Sequence, residues 1–293
     1  MTTDIPVNAR EVNAEVVKAC CAAGYGADAV TLLLGESYHP GGAGLTRRLA
    51  RALDLAASSV VLDVASGRGA SALLLATEHG CTVHGVDLGA RQINQATGAA
   101  AEAGLGGSVS FTLADAENLP FPDRTFDALI CECAFCTFPD KEQAAREFAR
   151  VLAPGGRAGI TDVTVTGVLP PELRTLTSWI ACIADARSTA DYGALLTGAG
   201  LVVERIEDHN HALAGMLDRI EARLNALAMT APTLLEAANA DPAAIRPYLA
   251  AVRRAVDAGA IGYTLITASK PLCGTSTEVP GNPTTLAADR IRS

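Results

Sequence analysis

The stretch VVLDVASGRGASALLLATEHGCTVHGVD, residues 60–87, decides how the rest of the chain is read. Val60, Val61, Leu62 and Val64 form a short apolar run with the composition of a buried strand. Ala65-Ser66-Gly67-Arg68-Gly69 follows as a turn whose glycines let backbone approach a ligand without an intervening Cβ. A helix is predicted next, with its free N–H groups at that turn. Residues 83–86 read as a second strand. Asp87 stands at its C-terminal end, 20 residues beyond Gly67, where a carboxylate can accept from both hydroxyls of a ribose. The unit predicts a nucleotide-like ligand without choosing one.

Outward from it, strand and helix patterns keep alternating, the mark of a parallel sheet with crossover helices. Helix is predicted over 91–103 and strand over 109–113 and 126–131. The helix over 141–152 is opened by Asp140 with Gln143 three residues on, a capping-box spacing. Pro154-Gly155-Gly156 turns the chain into a strand over 157–163. Leu173, Leu176, Ile180 and Ile183 mark one further helix, Ser188 with Asp191 can cap the next, and 202–206 is a strand. Leu213, Leu217, Ile220, Leu224 and Leu227 then repeat along a long amphipathic helix, and Pro242 opens another that ends at Gly259. The last strand covers 261–268. The fold class is α/β, a doubly wound, mostly parallel sheet with a helical insertion at about 208–259.

Ahead of the first strand, Val12, Val16, Val17 and Cys20 share a helical spacing, residues 28–34 suggest a short helix, and GESYHPGG at 35–42 is a polar loop. Leu45, Leu49 and Leu53, with Arg47, Arg48 and Arg51 opposite, form an amphipathic helix. The organisation expected is a helical cap at 1–56, a main domain at 57–270 and a Thr/Pro/Gly-rich tail at 271–293.

Hydrophobic residues make up 49% of the 293 and charged residues 19%, the composition of a packed globular protein. A net charge of -9, with the acidic residues spread rather than run together, argues against nucleic-acid and anionic-membrane partners and for a small molecule. The N-terminus lacks the basic and apolar regions of a secretory signal, so a cytoplasmic location is expected, with the eight cysteines as thiols. A homodimer stays open.

Gly67-Arg68-Gly69-Ala70-Ser71-Ala72 also satisfies the loose dinucleotide pattern G-x-G-x-x-A, which leaves a dehydrogenase as a rival. Further landmarks follow in order: Asp115-Ala116 after the third strand, Leu119-Pro120-Phe121, Phe126-Asp127, and Leu152 through Pro154-Gly155-Gly156-Arg157. With the opening motif and Asp87, this series resembles the class I S-adenosylmethionine-dependent methyltransferases over roughly residues 57–270. The resemblance implies that Asp63, Gly67 and Gly69 hold the methionine portion, with Ala65 in place of the usual first glycine. It implies that Asp87 takes the ribose, and that Asp115 and the Ala116 amide meet the adenine. Arg68, Leu88, Gln92 and Glu132 join them as cofactor-binding candidates. The implied chemistry is in-line attack on a sulfonium methyl held within about 3 to 3.5 Å of a nucleophile. The acceptor site is expected above the carboxyl ends of strands four and five, closed by the helical cap and the late insertion.

Cys131-Glu132-Cys133-Ala134-Phe135-Cys136 falls at that end, and Cys182 lies in a Trp179-Ile180-Ala181-Cys182-Ile183 segment read as helix. The residues around Cys133, through Pro139-Asp140-Lys141, and around Cys182 resemble bacterial arsenite methyltransferases, which implies that Cys133 and Cys182 bind trivalent arsenic. Ala72 stands where many members carry a further cysteine; Cys136 or Cys131 is a candidate third thiolate. Thiolates suit a soft metalloid, whereas buried cysteine also serves as a small hydrophobe. Acceptors thus range from arsenite to a thiol, amine, hydroxyl or carbon, and a non-catalytic cofactor- or metalloid-binding protein is a further alternative. A resident metal is not expected. His39, in a glycine-rich loop positioned as a lid, is a catalytic candidate together with Cys133, Cys136 and Cys182. His209 and His211 read as a solvated turn.

Overall fold

The computed structural model describes residues 13–35 and 38–272. The expected tail from Cys273 onward, and Glu36 and Ser37 of the polar loop, lie outside the described residues, as do residues 1–12. The apolar run of the opening stretch forms β1 (Val60–Val64), and α4 (Ala70–His79) leads to β2 (Thr82–Asp87). Val61, Leu62 and Val64 are fully buried because β1 lies mid-sheet with parallel neighbours on both sides. Next come α5 (Ala90–Glu102), β3 (Val109–Leu113), β4 (Phe126–Glu132), α6 (Lys141–Val151) and β5 (Leu152–Val165). After them follow α7 (Leu176–Ile180), α8 (Thr189–Gly198), β6 (Val202–Asp208), α9 (Asn210–Thr230), α10 (Pro232–Ala237), α11 (Pro242–Asp257) and β7 (Ile261–Ser269). Ahead of β1 lie α1 (Ala14–Tyr25), α2 (Asp28–Leu34) and α3 (Gly42–Leu53).

The seven strands form one sheet in the order β3-β2-β1-β4-β5-β7-β6, with β7 antiparallel to both its neighbours. The direction of winding reverses between β1 and β4. Crossover connections there run to opposite sides, which opens a crevice at the carboxyl ends of the strands. Phe126, Phe148 and Tyr192 are among the largest fully buried side chains. Among the described residues, no single helix is long and apolar enough to cross a membrane.

Local signals account for most boundaries. Ser188 caps α8 in a full capping box with Asp191. At α6 only half of the expected box forms. Asp140 Oδ1 accepts from the Gln143 amide at 2.8 Å, but the Asp140 N–H donates to Glu117 instead, also at 2.8 Å. The helix expected through Leu173, Leu176, Ile180 and Ile183 is broken. A 3-10 turn, Pro171–Leu173, precedes the short α7, whose N-terminus is capped by Thr175. The Ser178 carbonyl then accepts from the amides of Ile183 and Ala184, which closes the helix and puts Cys182 in the left-handed region at φ 64°. Cys182 therefore sits in a turn and not on a helix. The segment before β7 contains α10, which periodicity alone did not separate from its neighbours; Pro232 at its first turn marks the break.

Candidate functional site

A cleft opens at the carboxyl ends of β1, β2 and β4, beneath α1 and the loop carrying Tyr38 and His39. Its floor is the turn after β1. Ala65, Gly67 and Gly69 all take left-handed backbone, at φ 57°, 54° and 80°. Ala65 thus adopts a conformation that costs a non-glycine residue about 1–2 kcal/mol. The two glycines differ in purpose. A Cβ on Gly67 would meet nothing within 4 Å and would project into the cleft, whereas one on Gly69 would come within 2.5 Å of the Phe111 ring. Gly67 keeps the cleft open; Gly69 lets the turn pack on β3.

Asp87 closes the end of β2. Its Oδ2 accepts from the Gly67 N–H at 2.9 Å and its Oδ1 from the Gly89 N–H at 2.7 Å. Burial pushes its carboxyl up from the usual range, and these two amides oppose that shift. Asp63, on β1, is buried, with its Oδ2 lacking any hydrogen-bond partner among the described residues. Burial, then Glu132 and Asp87, drive its carboxyl well above the ordinary range. The Ser66 hydroxyl is likewise buried without a partner. Glu132 accepts from the hydroxyls of Ser71, at 2.5 Å, and Thr46, at 3.1 Å, and lies 3.8 Å from His39 Nδ1. Three carboxylates thus converge on a buried floor, an electrostatic setting that favours a cationic ligand.

Asp115 is tied to α1 by Lys18 Nζ at 2.7 Å and accepts the Glu117 amide at 2.9 Å. Ala116 is buried beside it, and both line the cleft. Gln92 also lines the cleft, but its amide nitrogen donates to the Ala22 carbonyl at 3.0 Å and so pins α5 to α1. Arg68 lies 6.0 Å from the Tyr38 ring centroid, and Leu88 stands partly exposed among the lining residues.

A second chamber adjoins the cleft. It is a half-open space of ≈ 350 Å³ bordered by α2, the α7 segment, α9 and α11. Tyr25, Tyr38 and Cys133 line both spaces and make the neck between them; the two tyrosine rings are 6.5 Å apart. Among the described residues, no Asp, Glu, Lys, Arg or His lines the chamber.

The structure brings Cys133, Cys136 and Cys182 together. Cys182 Sγ lies 2.8 Å from the Tyr25 hydroxyl and 3.1 Å from the Cys133 carbonyl oxygen. Hydrogen bonds from Cys133 and then Cys136, with help from Tyr25 and Lys141, hold the Cys182 thiol well below its usual range, although the carbonyl contact favours its protonated form. Cys133 is pushed up by its bond to Cys182 and by burial. Cys136 is pushed up chiefly by burial, and its amide donates to Asp162 at 2.8 Å. Cys133 also has left-handed backbone, φ 54°, so two of the three thiols are carried at strained positions. Cys131 is buried in β4, and Cys136 lines neither space. Among the described residues, no group of three or more His, Cys, Asp or Glu is arranged to hold a metal ion. His209, 3.2 Å from Glu207, lies outside both spaces, as does His211.

Sequence patterns did not single out Lys18, Tyr25, Thr46 or Ser71, and Ser66 was read only as part of the turn. Thr46 and Ser71 lie on different helices, 86 and 61 residues from the Glu132 they bond, so only folding joins them.

This sheet order, glycine turn and terminal carboxylate define a class I S-adenosylmethionine-dependent methyltransferase. A family described as a methyltransferase domain matches residues 62–160. The chain is 31% identical over 230 residues to a 27-O-demethylrifamycin SV methyltransferase of Amycolatopsis mediterranei, covering 78% of this chain and 83% of that protein. It belongs to this methyltransferase family. The methyltransferase GfsG of Streptomyces halstedii is 37% identical over 56% of this chain, and the match spans 60% of GfsG. An arsenite methyltransferase of Halobacterium salinarum is 33% identical, over 50% of this chain and 38% of that protein. Among solved structures, a geranyl diphosphate C-methyltransferase from Streptomyces coelicolor shares the fold at TM-score 0.69 and 18% identity, covering 87% and 98% of the two chains. The dehydrogenase alternative is thereby set aside. The enzyme transfers a methyl group from S-adenosylmethionine to a small molecule. The residues present fit that cofactor: among the described residues the buried oxygens of Asp63 and Ser66 have no hydrogen-bond partner, and the face over Gly67 is open, which suits a polar, cationic ligand.

Proposed function

We propose that this enzyme methylates a hydroxyl group borne on a small apolar organic molecule. The observation that carries the reading is the neck, where Tyr25, Tyr38 and Cys133 border both the polar cleft and the apolar chamber. A chamber of this composition suits an uncharged organic body. Bound in the cleft, S-adenosylmethionine supplies a sulfonium methyl group that carries its own leaving group. Asp87 takes the ribose hydroxyls, while Asp115 and the Ala116 amide meet the adenine. Asp63 and Glu132 face the cationic methionine end. Arg68 and Leu88 border the ligand, and Gln92 secures the cap over it. Tyr25 and Tyr38 orient the acceptor and, with the cap, exclude water. His39, backed by Glu132, takes the hydroxyl proton.

Methyl transfer from labelled cofactor to a panel of hydroxylated aromatics tests the reading. His39→Ala should lower kcat on the best acceptor by about 100-fold, the lower end of general-base effects, with cofactor affinity unchanged. Unchanged kcat removes His39 from the chemistry.

Arsenite is a second reading, favoured by the meeting of the thiols of Cys133, Cys182 and Cys136 behind the neck. On that reading the sulfurs hold the metalloid with its lone pair toward the methyl group, and no proton acceptor is required. Trp179, the single tryptophan of the chain, is buried three residues from Cys182 and donates from Nε1 to Thr137 at 3.1 Å. Arsenite binding should therefore quench or shift its fluorescence, and Cys133→Ser with Cys182→Ser should abolish both the shift and any arsenite methylation. A flat fluorescence titration rejects this reading.

A further inference from the structure

We infer that Lys18 is a positioning residue for the acceptor's end of the site: by binding two acids at the adenine edge it seats α1 on the bound cofactor and so fixes Tyr25 at the neck. This rests on the placement of the adenine at Asp115 and of the acceptor at the neck. Lys18, Cys21, Ala22 and Tyr25 of α1 all line the cleft. They stand at positions i, i+3, i+4 and i+7, which is one continuous face of a helix. The row spans about 10 Å along the helix axis at roughly 1.5 Å per residue. One face of α1 thus reaches from Asp115 to the neck.

The two ends of the row are held differently. Lys18 is its charged member, with Nζ 2.7 Å from Asp115 Oδ2 and 2.5 Å from Glu117 Oε2. Burial opposes that charge, but the bonds to the two acids outweigh it and hold the ammonium above its ordinary range. Both acids follow β3 and line the cleft. The other end packs on the acceptor side: a Cβ on Gly24 would come within 2.7 Å of Ile180 in α7, and the Tyr25 hydroxyl lies 2.8 Å from Cys182 Sγ. Between them the Ala22 carbonyl accepts from Gln92 at 3.0 Å. A cofactor in the cleft packs against Cys21 and Ala22 and brings its adenine to Asp115, so its binding strengthens the seat that Lys18 holds. Because the row is one short helix, a firmer seat at Lys18 is carried to Tyr25.

Cys182 reports this seat without lining the cofactor's space, because it borders the chamber and not the cleft while its sulfur meets Tyr25. The test is the initial rate of iodoacetamide alkylation at Cys182, resolved by peptide mass spectrometry, on the full chain free and saturated with S-adenosylhomocysteine. Saturation is set for each variant by calorimetry. The ligand should slow the parent's reaction at least 10-fold but that of Lys18→Met less than threefold, and Lys18→Arg, which keeps the charge, should regain at least fivefold protection. If Lys18→Met does not unfold cooperatively, Glu117→Gln, which removes one of the two charges facing Lys18, takes its place and should show less than fivefold protection. No protection in the parent, parental protection in the variant scored, or Lys18→Arg no better protected than Lys18→Met overturns the inference. S-inosylhomocysteine, with a ring carbonyl in place of the adenine amine, tests the underlying reading separately. Binding as tight as that of S-adenosylhomocysteine rejects the adenine contact at Asp115, while the dependence of protection on Lys18 is still scored by itself. No acceptor is present in the assay, so a failure of hydroxyl methylation leaves its result standing.

Discussion

Asp87→Ala should weaken S-adenosylhomocysteine binding by about 100-fold or more. Two charge-assisted hydrogen bonds to ribose hydroxyls contribute roughly 1.5–3 kcal/mol each, and every 1.4 kcal/mol is about tenfold in affinity. The same carboxylate takes the Gly67 and Gly89 amides, so its removal also frees the turn that lines the cleft. Asp87→Asn separates the two effects, because it preserves shape and one acceptor while removing the charge. Calorimetric titration reads both variants, and an affinity unchanged in Asp87→Ala rejects the ribose assignment. A pH dependence accompanies this. The carboxylate form is the one that accepts from both hydroxyls, and burial raises the Asp87 pKa. Cofactor affinity in the parent should therefore fall as pH is lowered, beginning above the range of an ordinary aspartate, and the fall should be shallower in Asp87→Ala, where only the other carboxyls of the cleft still titrate.

Lys141→Met should destabilise the fold by about 3 kcal/mol, the lower end for one partner removed from a buried ion pair. Lys141 and Asp185 pair with side chains only 4% exposed each, and Lys141 Nζ also donates to the Phe138 carbonyl at 2.9 Å. The lower end applies because Arg187 remains 3.0 Å from Asp185. This lysine joins the segment after β4, which carries Cys133 and Cys136, to the turn after α7, which carries Cys182. Its loss should loosen the wall behind the neck as well as the fold. Urea denaturation measures the change, and the Asp185→Leu/Lys141→Met pair should recover part of it because no lone charge is then buried. A loss below about 1 kcal/mol would mean that water already hydrates the pair.

The legible parts of this chain are those whose causes are close in sequence. The strand–turn–helix–strand unit of residues 60–87, the Asp140 and Ser188 caps and the proline that opens α11 each depend on residues within a few positions of one another. The segment over 173–183 was misread because apolar spacing is blind to the carbonyl of Ser178 capturing two later amides. Gly67 and Gly69 look equivalent in a motif; only the position of Phe111, on β3, shows that one faces the cleft and the other faces packing. Gln92 lines the cleft, yet its amide is engaged by Ala22, 70 residues away.

By itself the sequence determined the order of the strands, most of the helices and the glycine turn with its terminal carboxylate, because hydrophobic period and backbone chemistry act over one or two turns of chain. The family landmarks were legible for the same reason. Tertiary structure alone decided the neck and the chamber. Tyr25 and Tyr38 of the cap meet Cys133 there from a distant stretch of chain, and α2, α9 and α11 border the space together only once the chain is folded. A cavity is the absence of side-chain atoms between packed elements, and no local pattern of residues encodes it.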